Sequence, residues 1–213
     1  AKDGEMFVRV AAKAVDEKTA DALCAPVMEE VRRRVGSEYI YAVDIETLEE
    51  TVVRKLLARG MTIATAESCT GGLLAKRITD VAGASDVFEM GAVTYANRIK
   101  EQVLGVSAQT LEQYGAVSPQ TAREMAEGIR KAAGSDIGIG ITGIAGPGGG
   151  SAEKPVGLVY IAMSTAEKTV VCRKNTGSRV RSREWNRHTA ASCALDLVRR
   201  ELDGLPLPEG VVN

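Results

Sequence analysis

The sequence predicts an α/β protein: a three-layer α/β/α sandwich with a mixed sheet, plus a small N-terminal α+β appendage. Three observations predict it. Uncharged runs at Met61–Ala66 and Ile137–Thr142 read as strands buried on both faces. Amphipathic helical stretches alternate with the strand-like runs, the order that builds helices onto both faces of a sheet. The last two runs, Leu158–Met163 and Thr169–Arg173, are separated by a short link and read as an antiparallel hairpin. In sheets of this kind the ligand crevice lies beyond the strand ends, so the residues that directly follow strands are the candidates for chemistry.

Composition narrows the function. The 213 residues suit one good-sized domain with a small addition, and 45% hydrophobic with 26% charged residues is the balance of a globular chain. Aromatic residues are 4% and the net charge is −1, so neither a base-stacking surface nor a basic field for nucleic acid is expected. The four cysteines, at 24, 69, 172 and 193, have no Cys-x-x-Cys spacing, and His188 is the single histidine. No metal site is therefore expected. Scattered cysteines suit a reducing cytoplasm, the expected location. No apolar run approaches the ~18 residues that span a membrane, so no membrane partner is expected. The chain begins at Ala1 rather than Met, and its opening reads as part of a longer protein.

Residues 1–43 form the appendage. Met6–Ala14 and Tyr39–Val43 read as strands, flanking a helix over Asp16–Arg34 with Ala20, Leu23, Val27 and Val31 on one face and Gly36 as its stop. Two strands and a helix are too little to bury a core alone. The main domain, 44–204, opens on Thr47-Leu48-Glu49-Glu50, a capping box. That helix runs to Gly60, and the Met61–Ala66 strand follows. Next comes the turn Glu67-Ser68-Cys69-Thr70-Gly71-Gly72, then a helix from Leu73. Phe88–Tyr95 reads as a strand, with a helix from about Ala96 to Leu104. Ser107 and Ser118-Pro119 start two further helices, by a hydroxyl cap and by proline in the first turn. Ala122, Met125, Ala126 and Ile129 face inward on the second. Gly138 and Gly140 in the Ile137–Thr142 strand signal close backbone approach. A Gly-rich loop spans 143–157, and a closing helix spans Arg181 to about Leu202. Residues 205–213 read as a loose tail.

Three stretches that follow strands can carry chemistry. Ser68 sits at a helix start, where unpaired backbone N–H groups gather. On local grounds it reads as a helix cap or as a nucleophile. Cys69 reads as an inert buried thiol or as a low-pKa nucleophile at a helix start. Lys100, five residues after Tyr95, reads as a solvated helix lysine or as a buried base. Work as a base requires its pKa to fall from ~10.4 to about 7–8. Nothing marks His188 as a base. The 143–157 loop matches neither a Walker A loop nor a Rossmann fingerprint. Its length without regular structure favours a functional loop that lets a substrate approach the backbone.

Four stretches together resemble the CinA family, specifically its C-terminal nicotinamide mononucleotide (NMN) deamidase domain. They are Ala66–Gly72, Thr94–Lys100, Gly115–Ser118 and Thr142–Ser151 with Lys154–Gly157. The likeness covers about residues 47–203, and residues 1–43 resemble the KH-like module that precedes this domain. The resemblance implies hydrolysis of NMN to nicotinic acid mononucleotide and ammonia, without a cofactor. Its nucleophile maps to Ser68 and its Tyr and Lys partners to Tyr95 and Lys100. The matching motifs bring with them the expected substrate-binding residues Glu67, Cys69, Thr70, Gly71 and Gly72, and Thr142, Gly143, Ile144, Ala145, Gly146, Gly149 and Ser151. Arg181, Arg183 and Arg187 are candidates for the substrate's phosphate. Expected partners are NMN, further copies of the chain as a homo-oligomer, and an N-terminal molybdopterin-binding-like domain preceding this segment. The competing expectations are a competence- or DNA-damage-related interaction module without enzymatic activity, and a hydrolase of another nucleotide amide.

Overall fold

A strand without charge until its last residue can sit inside a sheet, and β1 (Ile63–Glu67) does so, with all five residues buried. It runs parallel to β2 (Phe88–Val93) on one side and to β3 (Ile137–Gly143) on the other. The computed structural model describes residues 5–44, 47–175 and 182–212. Beyond β3 the sheet turns antiparallel through β4 (Leu158–Ser164) and β5 (Thr169–Asn175), the expected hairpin. The tail read as loose instead lays β6 (Val211–Val212) along β5, giving the order β2-β1-β3-β4-β5-β6. Val211 and Val212 supply the β-branched pair that an edge strand favours.

Helices cover both faces. On one face lie α2 (Leu48–Arg59), α3 (Leu73–Thr79) and α7 (Arg183–Asp203), packed on Ile63, Ile137, Ile139 and Ile141. On the other lie α4 (Asn97–Leu104), α5 (Ala108–Tyr114) and α6 (Pro119–Ala133). The starts follow the sequence signals. Thr47 and Glu50 form the reciprocal capping box of α2. Ser118 accepts from the Thr121 N–H ahead of Pro119. The expected inward residues of α6, Ala122, Met125, Ala126 and Ile129, are all buried.

Alternation along β3 explains how close α6 comes. The isoleucines point toward α7, while Gly138 and Gly140 face α6. A Cβ at Gly138 would stand 2.3 Å from the Ala126 carbonyl oxygen, and one at Gly140 would stand 2.4 Å from that of Ala122. Backbone cannot yield as a flexible side chain does. Gly140→Ala should therefore cost at least about 2 kcal/mol of stability, read as a lower denaturant midpoint at unchanged slope.

The appendage departs from expectation. Its helix α1 (Glu17–Val35) forms, capped by Asp16 and stopped by Gly36, but no residue of it is buried. Leu23 and Val27, on the expected apolar face, are exposed. Neither 6–14 nor 39–43 is a strand: residues 37–39 make a 3₁₀ turn, and Glu5 alone bridges. A strand needs a neighbour to take its backbone hydrogen bonds, and among the described residues these segments have none. Polar contacts, with Tyr41 packed against the core, hold the appendage to the domain instead. Arg77 on α3 donates to Glu5, Glu49 and Ser192. Tyr41 donates to Glu5, and Arg199 donates to the Glu38 carbonyl.

Candidate active site

The ends of β1, β2 and β3 place the three sequence stretches side by side. The Ser68 N–H donates to the Ile141 carbonyl of β3, and the Thr94 N–H donates to the Glu67 carbonyl of β1. The backbone at residues 67 and 68 is thus pinned from both sides, and Ser68 leaves the sheet at a fixed point.

Lys100 comes up from α4 to meet it. The residue is wholly buried, the largest such side chain among the described residues. Its Nζ stands 3.4 Å from Ser68 Oγ, 2.8 Å from the Thr94 carbonyl oxygen and 3.1 Å from that of Tyr95. Among the described residues no carboxylate pairs with it. Burial without a counter-charge disfavours the ammonium form, so the Lys100 pKa is lowered. An ammonium has three N–H donors and no lone pair, whereas a neutral amine has two donors and one lone pair. Two carbonyls and one hydroxyl serve either form: the ammonium donates to all three, while the neutral amine gives two N–H groups to the carbonyls and a lone pair to the Ser68 O–H.

Tyr95 reaches this centre through its carbonyl. Its ring is exposed, and its hydroxyl accepts from Arg183 Nη2 at 3.1 Å. No hydrogen bond joins that hydroxyl to Lys100 or Ser68 among the described residues. Cys69 is buried, and burial pushes its thiol up to about 12. That is the inert reading of the cysteine, since the thiolate is the reactive form. His188 lies half-buried on α7 with no hydrogen bond to Ser68 among the described residues.

The turn after Ser68 consumes most of its own donors. Gly71 N–H donates to the Ser68 carbonyl and Leu73 N–H to the Thr70 carbonyl. Glu67 takes three more: its carboxylate accepts from Gly72 at 3.0 Å, Leu74 at 3.1 Å and Ala75 at 2.8 Å. Glu67 is 1% exposed, so it is committed to the backbone of α3 rather than turned to a substrate. Cys69 and Thr70 are the amides of the turn left with no carbonyl or carboxylate acceptor among the described residues.

The Gly-rich loop is fixed at both ends. Ile144 and Gly157 pair with Leu158 and Ile144 carbonyls. The Lys154 N–H donates to Ser151 Oγ, and Lys154 Nζ donates to the Tyr114 carbonyl. Thr142 spends its hydroxyl on the Ala116 carbonyl. Gly143 is a packing glycine, since a Cβ there would meet the Leu158 carbonyl oxygen at 2.6 Å. Ala145 and Gly146 are buried, whereas Gly149 and Ser151 are exposed.

Helix α7 ties all three stretches together. Asn186 donates to the Ala145 carbonyl, Arg183 to the Gly146 carbonyl and the Tyr95 hydroxyl, and Arg187 twice to the Thr70 carbonyl. Residues 183, 186 and 187 share one helical face, a spacing legible in the sequence. Arg181 lies outside the described residues. The hydroxyls of Thr70 and Thr94 are buried with no hydrogen-bond partner among the described residues. Among the described residues no group of three or more His, Cys, Asp or Glu could hold a metal. No helix among them is long and apolar enough to cross a membrane.

Comparison with known proteins gives the same assignment for both parts of the chain. Residues 45–202 match the CinA C-terminal domain, and residues 1–42 match the damage-inducible protein CinA KH domain. A CinA-like protein of Desulfovibrio desulfuricans is 52% identical over 210 residues, covering 99% of this chain and 49% of that protein. A putative competence-damage inducible protein of Caldanaerobacter subterraneus is 52% identical over 205 residues, 95% of this chain and 48% of that protein. The chain thus spans about half the length of the curated relatives it matches. Among solved structures, the competence/damage inducible protein CihA of Agrobacterium tumefaciens is similar, with a TM-score of 0.68 and 38% identity. That match covers 76% of this chain and 99% of the other. A CinA superfamily protein of Klebsiella pneumoniae gives 0.70 and 36%, over 74% of this chain and 96% of the other. The chain belongs to the CinA family, pairing that family's C-terminal domain with residues of its KH domain.

Proposed function

We propose that this domain hydrolyses the carboxamide of NMN to nicotinic acid mononucleotide and ammonia, with Ser68 as nucleophile and Lys100 as base. The observation that carries the chemistry is the buried, unpaired Lys100 amine within reach of the Ser68 hydroxyl. A lysine buried without a counter-ion is costly for a fold, which favours a chemical role over a merely structural one. The choice of NMN rests on the family resemblance.

Ser68 Oγ bonds to the carboxamide carbon while its proton passes to the Lys100 lone pair. The oxyanion meets the N–H groups of Cys69 and Thr70, each such donor being worth about 10²–10³ in rate. Lys100 returns the proton to the departing nitrogen as the C–N bond breaks, releasing ammonia. Water then attacks the ester, giving one proton to Lys100, and Ser68 recovers it as the acid leaves. A 5′-phosphate entering the crevice meets the guanidinium groups of Arg183 and Arg187 beside the Gly-rich loop.

The test is ammonia release from NMN by the purified chain. Stoichiometric ammonia and nicotinic acid mononucleotide are expected. A folded protein that releases none from NMN, but releases it from another nucleotide amide, would keep the chemistry and change the substrate. Release from neither would leave the interaction module.

A further inference from the structure

The residue before the nucleophile is an unusual choice for its place. Glu67 ends β1 and is 1% exposed, at a depth where carboxylates are rare unless paired. No cation pairs with it among the described residues. Its partners are the backbone N–H groups of Gly72, Leu74 and Ala75.

The local sequence explains why. A helix start normally draws its cap from the Ncap side chain. The Ncap of α3 is Gly72, which has no side chain to give. Gly71 and Gly72 have φ of 61° and 89°, so glycine is required to turn the chain sharply there. Glu67 supplies from the strand what Gly72 lacks, and a negative charge suits that end of a helix.

Two consequences follow for Ser68. The carboxylate bolts the start of α3 to the end of β1, so the turn bearing Ser68 is closed at both ends. It also takes up three N–H donors at the start of α3. We infer that Glu67 is a positioning residue: it holds the Ser68 turn so that the Ser68 hydroxyl meets Lys100 and only the Cys69 and Thr70 amides face the oxyanion. This assignment rests on the proposed Ser68–Lys100 chemistry.

Glu67→Gln tests it. The amide keeps size and one acceptor oxygen but sets an NH₂ group against backbone donors. Misplacement of a reacting group by about 1 Å costs on the order of 10²-fold. We expect kcat for NMN to fall 10- to 100-fold with KM within threefold of wild type. The midpoint of the pH–rate profile should stay in place, because Lys100 is untouched. Hydrogen–deuterium exchange at the 72–75 amides should rise at the same time. Labelling of Ser68 by a fluorophosphonate probe, which needs no NMN, should slow by the same factor as kcat. Glu67→Asp, too short to reach all three amides, should fall at least as far.

Unchanged kcat and unchanged labelling in folded Glu67→Gln overturn the inference. So does a raised KM at constant kcat, which marks substrate contact, or a shifted pH midpoint, which marks proton transfer by Glu67. The parent reading fails separately. Wild-type protein that takes the probe at Ser68 but leaves NMN intact refutes the substrate and not the role of Glu67. Wild-type protein that does neither removes the nucleophile, and the inference with it.

Discussion

Ser68→Ala is expected to reduce NMN hydrolysis by about 10⁴-fold or more while leaving the melting temperature unchanged. Ser68 Oγ makes one described hydrogen bond, the 3.4 Å contact with Lys100. The backbone at 68 is held by the Ile141 carbonyl, which the substitution does not touch. The fold therefore loses little and the reaction loses the atom that attacks. Cys69 cannot take over, because burial holds its thiol at about 12 and leaves it protonated at neutral pH. Ammonia assays and thermal melts on the same preparation check both halves. Activity retained within tenfold would move the nucleophile elsewhere.

The second large effect belongs to Lys100. Lys100→Met removes the proposed base and should slow turnover by about 10²–10⁴-fold. In the wild type, kcat/KM should rise with pH as the amine deprotonates, with its midpoint below the ~10.4 of a free lysine, since burial lowers the Lys100 pKa. The variant should lose that limb, and a limb that survives would assign it to another group.

Stability follows with a defined sign. Between the lowered folded pKa and ~10.4 the unfolded chain binds more protons than the folded one, so stability rises with pH across that window. Below the folded pKa the cost of the buried ammonium is fully present. The wild type should accordingly gain stability relative to Lys100→Met as pH rises through the window, in denaturant melts at several pH values. A difference that does not change with pH would mean that Lys100 titrates alike in both states.

The domain was legible where a local signal and its tertiary consequence coincide. The uncharged runs of β1 before Glu67 and of β3, the capping box at Thr47, Ser118-Pro119 and the inward face of α6 all read correctly, because burial there follows directly from the residues. The appendage did not read correctly. Met6–Ala14 and Tyr39–Val43 have strand composition, yet strands depend on partners that composition does not reveal. The tail was misjudged for the converse reason: two valines suffice for an edge strand once β5 offers its free side.

At the site, Ser68 and Lys100 meet as expected. Glu67 does not behave as its motif suggested, because a carboxylate next to a nucleophile looks chemical until its three N–H partners are seen. Tyr95 engages Lys100 by its carbonyl, a backbone contact that residue type cannot announce. The tie from α7 was open to inspection in the spacing of Arg183, Asn186 and Arg187, but its targets are carbonyls at Thr70, Ala145 and Gly146, which leave no mark in sequence.

The proposed mechanism requires Ser68 to be acylated during turnover, and the most direct measurement is to locate the acyl group. Protein mixed with excess NMN, quenched in acid during turnover and mapped by peptide mass spectrometry should carry the nicotinate mononucleotide acyl group on Ser68. The acyl group on Cys69, or ammonia released with no residue ever acylated, would contradict the account.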